Sequence, residues 1–264
     1  MVFKSSVKYL NNISNGLENA VQERMKSERM KAELITNVSH DIKTPLTSII
    51  NYVNLIKLEQ IDNERVNGYI RILDAKSQRL KQLTEDLVET SRITSGNVKL
   101  DMQKIDLVEL IYQTAGEFNE KFEAKELTIV TKLPKTEVMI RADGRQLYRV
   151  IENLYNNVAK YALEKTRVYV DVHVLEEKVT FSIKNVSERS LALENSNAGD
   201  LTERFIRGDA SRTTEGSGLG LSIAKSLTQL MGGIFFIGVD GDLFKASITF
   251  PLYRETQQEN DIDE

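Results

Sequence analysis

The chain has 264 residues and a mass of 30.0 kDa, enough for about two domains of ordinary size. It holds 35 basic and 39 acidic residues, two His and no Cys, which excludes a disulfide framework, a thiol nucleophile, a Cys-ligated zinc and a His-rich metal site. Five of the acids lie in residues 255–264, so the remainder is close to neutral and lacks the basic excess of a nucleic-acid-binding surface.

Residues 1 to about 95 hold one Pro and two Gly, with dense charge and apolar residues every three or four positions. Leu10, Ile13 and Leu17 open a stripe that weakens through Arg24, Ser27 and Lys31 and returns at Leu34. It continues through Ile35, Val38, Ile42, Ile49, Val53 and Ile56. This pattern predicts a helix with a coiled-coil lead-in over residues 1–30. After the polar turn Glu59–Asn63, a second stripe runs Val66, Ile70, Leu73, Leu80, Leu83, Leu87, and Ser95-Gly96 stops it. Two amphipathic helices joined by a short turn form an antiparallel hairpin. One hairpin covers its two stripes poorly; two copies packed as a four-helix bundle cover them well.

The composition changes after Gly96. Asp106 is placed to cap a helix reaching about Phe122, and Leu127–Leu133 and Glu137–Arg141 read as strands. Asp143 to Tyr161 reads as a helix with Val150, Leu154 and Ala159 on its core face. Val168, Val170, Val172 and Val174 alternate with Tyr169, Asp171 and His173, and Val179–Ile183 follows as a partner strand. Residues 187–217 are polar with several Gly and Ser, a long loop of the kind that is functional or disordered. A helix from about Leu219 to Met231, strands Ile234–Val239 and Lys245–Phe250, and a disordered acidic tail complete the chain. Helices laid on a largely antiparallel sheet make an α+β layer structure.

Two side-chain groups stand out. With Val38 set at 0° on a helical wheel, Ile42 and Ile35 fall near about 40° and 60°, and His40, Thr44 and Lys43 fall near about 200°, 240° and 140°. That wheel puts the core face at Val38, Ile42 and Ile35, and His40 in solvent with Thr44 one turn on. Asp41 follows directly, and Pro45 removes a helical hydrogen bond one turn later, where a bend is expected. A carboxylate that keeps one ring nitrogen protonated leaves the other lone pair free to attack. His173, on the polar side of an alternating strand, reads as an ordinary surface His. The second group is Asn153 and Asn157, one turn apart, with Arg149 before them and Lys160 and Tyr161 after. Amide oxygens are hard ligands, and with Arg and Lys they suit Mg²⁺ and phosphate. Farther on, Gly216-Ser-Gly-Leu-Gly220 leads into a helix; this is neither a Walker A nor a Rossmann pattern, since no strand precedes it and no Gly-Lys-Ser/Thr ends it.

Asn37-Val-Ser-His-Asp-Ile-Lys-Thr-Pro-Leu-Thr47 resembles the H box of sensor histidine kinases. Asn153-Leu-Tyr-Asn-Asn-Val-Ala-Lys-Tyr161 resembles their N box, Glu203-Arg-Phe205 with Arg207-Gly-Asp209 the F box, and Glu215-Gly-Ser-Gly-Leu-Gly220 the G2 box. The resemblance covers residues 25–251. It implies a dimeric four-helix bundle, then a GHKL-type ATP-binding domain with a mixed sheet and helices on one face. The implied division is a signalling helix over 1–30, a dimerisation and phosphotransfer domain over 31–97, a catalytic domain over 98–253 and a tail over 254–264. By the same resemblance His40 is the phospho-acceptor, Asp41 its acid–base partner with Lys43 beside them, and Thr44 positions the water for dephosphorylating a partner. Asn157 ligates Mg²⁺, Lys160 approaches phosphate and Tyr161 lines the nucleotide pocket. Asn153 stands where gyrase-type ATPases carry a water-activating Glu. Gly216, Gly218, Leu219 and Gly220 form the phosphate loop, with Arg207 and Arg212 as lid cations. The family's Asp-x-Gly-x-Gly is replaced by Lys184-Asn-Val-Ser-Glu188, so Asn185 takes the place of the adenine-binding Asp.

The resemblance implies an ATP- and Mg²⁺-dependent protein histidine autokinase of a two-component system. Its partners are a second copy of the chain and the receiver domain of a response regulator, and nucleic acid is not among them. It also implies phosphatase activity toward that regulator. The expected location is cytoplasmic, as the cytosolic part of a membrane-anchored sensor. Two other readings stand beside it: an inactive or phosphatase-only dimeric scaffold, favoured by Asn185, and a gyrase- or chaperone-type ATPase, disfavoured by Asn153.

Overall fold

The computed structural model describes residues 41–59, 61–95, 98–188 and 219–254, with positions 30, 35 and 37–39. The chain divides into two compact units, Met1–Val98 and Lys99–Glu264.

In the first unit, helix α1 (residues 41–58) and helix α2 (Glu64–Thr94) flank a short turn. Asn63 caps α2: its side-chain oxygen accepts from the N–H groups of Arg65 and Val66 at 3.1 and 3.2 Å. Asn67 Nδ2 donates to the Ile61 carbonyl at 2.8 Å and closes the turn from the other side. An ion pair between Lys57 and Asp74 ties the two helices together near this end. Its hydrogen bond holds the Asp74 carboxyl below its ordinary range. The helical run passes through Pro45 without a break.

Most of the two stripes stays open on the single hairpin, as expected for one copy, although Val53 and Ile70 are buried. Val38 and Ile42 are 49% and 37% exposed, and Ile49, Ile56, Leu73, Leu80 and Leu87 are exposed as well. Residues buried on α1 and just before it are Ser39, Leu46 and Val53, spaced by seven; on α2 the spacing recurs at Ile70, Ser77, Thr84 and Ser91. A single hairpin can bury only one stripe per helix. The stripe it buries lies next to the strongest apolar one, which a lone wheel cannot separate from it.

The second unit opens with strand β1 (Gln103–Asp106), a short element absent from the sequence reading, which pairs antiparallel with β3 (Met139–Ala142). Helix α3 (Leu107–Glu123) is capped by Asp106, whose Oδ1 accepts from Val108 N at 2.9 Å and Val138 N at 3.2 Å. Strand β2 (Thr128–Lys132), helix α4 (Gly144–Tyr161) and strands β4 (Arg167–Leu175) and β5 (Lys178–Val186) follow. Helix α5 (Gly220–Leu230) and strands β6 (Ile234–Asp240) and β7 (Leu243–Pro251) finish the unit. The main sheet runs β2-β4-β5-β7-β6, with β2 parallel to β4 and the other pairs antiparallel, which is the expected mixed sheet.

The sheet's two faces have opposite chemistry. Val179, Phe181, Ile183 and Asn185 on β5 pair with Phe250, Ile248, Ala246 and Phe244 on β7, and all eight are buried. The helices pack on this face; a Cβ placed on Gly233, just past α5, would stand 2.6 Å from the Phe250 ring. The opposite face carries Thr180, Ser182, Lys184 and their neighbours, with Lys184 Nζ bonded to Asp171 at 2.8 Å. Two details correct the sequence reading. Val174 is 46% exposed, because it lies at the end of β4 where the hairpin leaves the core. On α4 the buried residue is Val158 rather than Ala159, one step around the wheel.

Along the α3–α4 contact, Phe118, Phe122 and Tyr155 form a tilted aromatic cluster with centroids 5.4–5.8 Å apart. Beside it, Tyr148 donates to Glu117 at 2.6 Å. That bond, reinforced by burial, pushes the Tyr148 phenol up to about 12 from its ordinary 10.0, and burial alone pushes Tyr155 up. Both folded values lie above the unfolded one, so the unfolded chain releases phenolic protons first as pH rises past 10. Stability is therefore full below pH 10 and falls between 10 and 12. The urea midpoint of the wild type should drop over that window, and Tyr148→Phe should flatten the drop. Gly233→Ala should cost about 1–3 kcal/mol in the same assay at neutral pH, because the buried Phe250 ring must move to admit the methyl group.

Candidate functional site

The phospho-acceptor segment lies on α1. His40 itself is outside the described residues. Asp41, Lys43, Thr44 and Pro45 follow it and all are exposed. The Lys43 and Thr44 carbonyls accept from the hydroxyls of Thr47 and Ser48 at 2.8 and 3.3 Å. These bonds use backbone oxygens only, so the Thr44 side chain stays at the helix surface as expected.

The second group is assembled by α4, the end of β5 and the start of α5. Asp143 begins α4 and is buried; its Oδ1 accepts from Arg145 and Gln146 N–H at 3.0 and 3.1 Å. Its Oδ2 accepts from Asp101 N–H at 2.9 Å, which ties the strand leading into β1 to the helix start. Farther along α4, Asn153 and Asn157 are half-buried, one turn apart, and Lys160 is exposed. Asn153 Nδ2 donates to the Arg149 carbonyl at 2.9 Å, which leaves its Oδ1 turned away from the helix. Gly220, the first residue of α5, sits against that oxygen: a Cβ there would come within 2.8 Å of it. The N-box and G2-box segments, 67 positions apart, thus meet at Asn153 and Gly220. The Asn157 side chain makes no hydrogen bond among the described residues.

The C-terminal end of α4 is fastened to the end of β5. Leu163 N–H donates to the Val186 carbonyl at 2.9 Å and Glu188 N–H to the Tyr161 carbonyl at 2.8 Å. Lys125 Nζ caps the helix from outside by donating to the Lys160 and Ala162 carbonyls at 3.0 and 3.4 Å. Tyr161 and Asn185 are thereby brought to the same end of the domain. Asn185 belongs to β5, whereas the sequence reading ended that strand near Ile183; it is 1% exposed, on the helix-facing side. Sequence reasoning missed Lys125, Leu163 and Val186. Lys125 carries no local signal, and the other two act through backbone atoms. Arg207, Arg212, Gly216, Gly218 and the F-box segment lie outside the described residues, and Leu219 is the N-cap position of α5.

A bilayered α+β domain with these segments at one end of α4, preceded by a helical hairpin, defines a two-module signalling ATPase architecture. The family models agree: the "His Kinase A (phospho-acceptor) domain" matches residues 30–96, and the "Histidine kinase-, DNA gyrase B-, and HSP90-like ATPase" matches residues 142–255. The chain belongs to the sensor histidine kinases and comprises their catalytic core. Sensor histidine kinase WalK of Bacillus subtilis (strain 168) is 27% identical over 248 residues, covering 92% of this chain and 40% of that protein. Sensor protein VanSC of Enterococcus gallinarum is 33% identical over 210 residues, covering 78% of this chain and 57% of that protein. This chain therefore spans about half the length of the curated relatives it matches. Among solved structures, full-length ShkA in complex with AMPPNP superposes with a TM-score of 0.69 over 83% of this chain and 46% of that one, at 22% identity. Histidine kinase ThkA in complex with response regulator protein TrrA superposes with a TM-score of 0.58 over 83% and 61%, at 21% identity. These two likenesses share the fold. Among the described residues no helix is long and apolar enough to cross a membrane.

Proposed function

We propose that this chain is an ATP-dependent protein histidine autokinase that phosphorylates His40 and passes the phosphoryl group to an Asp of a separate response regulator. The observation that carries this reading is the contact of Gly220 with Asn153, which joins the phosphate-loop and N-box segments into one site. The AMPPNP in the ShkA complex and the response regulator in the ThkA complex support the choice of nucleotide and partner. In the proposed step, a ring nitrogen of His40 attacks the γ-phosphorus, the bond to the bridging oxygen breaks and ADP leaves. Asp41 takes the proton from the other ring nitrogen and orients the ring. Lys43 lies beside the acceptor, Lys160 approaches the phosphates and Tyr161 lines the pocket. Asn153 is an amide that does not act as a base, which favours transfer to His over hydrolysis by water.

Asn157 fits Mg²⁺: it offers a half-buried hard oxygen with no hydrogen-bond partner among the described residues, and this ion takes few protein ligands and completes its shell with phosphate and water. When bound, the ion neutralises phosphate charge. Thr44 is the candidate for positioning water in the reverse, dephosphorylating reaction. The working unit is a homodimer, because Val38, Ile42, Ile49, Ile56, Leu73, Leu80 and Leu87 form apolar stripes that one hairpin leaves open. The domain division at 30/31, 97/98 and 253/254 and a cytoplasmic site of action, joined to a membrane-anchored sensor, belong to the same proposal. One observation favours the scaffold reading: an uncharged Asn185 replaces the family's adenine-binding Asp.

Incubation with Mg²⁺ and ATP labelled at the γ-phosphate tests the proposal. The wild type should acquire an acid-labile, alkali-stable label, with none in His40→Gln and a loss to background in Asp41→Ala despite intact ATP binding. Nucleotide binding without label in the wild type would leave the scaffold reading. Sedimentation should show a dimer that Leu80→Asp converts to monomer; an unchanged mass would refute the open stripe as the dimer surface.

A further inference from the structure

We propose that the open edge of strand β6 pairs antiparallel with β6 of a second copy, centred on Ile237. Strand β6 ends the main sheet, and among the described residues no strand lies on its outer side. Open edges are usually guarded by a Lys, a Pro, a bulge or a covering element. Residues Ile234 to Val239 contain no charge and no Pro, and they pair with β7 one for one without a bulge. On the sheet face turned away from the helices, Ile234 is 61% exposed and Phe236 is 55% exposed. An apolar run on an unguarded edge is a template for another strand.

The turn between β6 and β7, Gly241 and Asp242, fixes which backbone groups stay open. In a hairpin with so short a loop the closing pair, here Asp240 and Leu243, exchanges hydrogen bonds, and so does every second pair behind it. The N–H and C=O groups of Ile234, Phe236 and Gly238 therefore point to β7, and those of Phe235, Ile237 and Val239 point outward. A twofold axis at Ile237 sets this residue opposite its equivalent and Phe235 opposite Val239 of the second copy. Every outward group then finds a partner. The side chains fit the same register: Phe236 falls opposite Gly238 of the second copy, and Ile234 opposite Asp240. The Phe236 ring already leans over Gly238 of its own strand, where a Cβ would stand 3.0 Å from Phe236 Cε1. A glycine beside a large ring lets both rings lie on the shared face without collision. Asp240, the one charge in β6, meets no like charge. Centring the pair on Phe235 or Val239 instead would shorten the shared ladder.

Few side chains are covered by this pairing, and the surface falls short of the roughly 800 Å² per partner of a stable stand-alone interface. The contact is therefore weak between free copies and gains strength where another interface holds two copies together. The chain has no Cys, so engineered thiols report the register. The double variant Ile234→Cys/Asp240→Cys sets thiols opposite each other across the axis, whereas within one copy they lie at the two ends of β6, too far apart to bond. Oxidation of the full chain with Cu²⁺–phenanthroline should form disulfide-linked dimers at least about tenfold faster in the double variant than in either single variant. Adding Phe236→Lys should slow that linkage by about tenfold or more, with circular dichroism confirming the fold. Equal rates in the single and double variants, or a rate unchanged by Phe236→Lys, would overturn the proposal.

Discussion

The catalytic unit depends on where helix α4 begins and ends. At the start, one buried carboxylate does two jobs: Asp143 caps the helix and accepts from Asp101 N–H. At the other end, the chain leaves the helix and bonds at once to β5 through Leu163 N–H and the Val186 carbonyl. Lys125 covers two carbonyls that the helix cannot satisfy itself. Between these fixed points the register of α4 is set, and with it the positions of Asn153 and Asn157. At 3.6 residues per turn, a slip of one residue would turn the helix by about 100° and carry Asn153 away from Gly220. Gly220 completes the arrangement because only a residue without Cβ lets α5 start so close to Asn153.

The hairpin obeys a different constraint. Its residues divide into a buried line spaced by seven, partly polar, and an exposed apolar stripe beside it. The buried residues of α2 are the hydroxyl residues Ser77, Thr84 and Ser91 with Asp86, between Ile70 and Ile93. Small side chains let two helices approach closely but bury little apolar area, so the hairpin gains little stability from its own seam. The larger leucines and isoleucines face outward, where a second hairpin can cover them. On the homodimer reading, covering them would couple folding of this unit to association.

Much of this was legible in the sequence, for identifiable reasons. The cap at Asp106 was legible because a cap is a local bond between neighbours, whereas Asn63 and Asp143 were read only as the end of a polar turn and the start of a helix. Alternation gave β4 and β5, because the period of two survives in a sheet with one polar face. The open stripes of α1 and α2 were legible, whereas the line that one hairpin buries was not, because adjacent stripes on one helix differ by only about 60° on the wheel. Strand β1 escaped because four residues of mixed polarity carry no periodic signal; it exists through its pairing with β3. The Asn153–Gly220 contact could be anticipated only by resemblance, since no local rule links positions 67 apart. Leu163 and Val186 stayed hidden because their contribution is made by backbone atoms, which every residue type shares.

Asn185 is a buried amide in an otherwise apolar strand row, and its chemistry there differs from that of a carboxylate. A buried charge in an apolar strand row demands hydrogen bonds from several sides or it shifts to its neutral form. An amide avoids that penalty but introduces an ambiguity of orientation. The structure resolves the ambiguity with a carbonyl already engaged by the end of α4, so one backbone oxygen serves both to anchor the helix and to aim the side chain. Any movement that frees Leu163 from Val186 would loosen both functions together. The orientation of the Asn185 amide and the end of α4 are therefore linked through a single acceptor, the Val186 carbonyl.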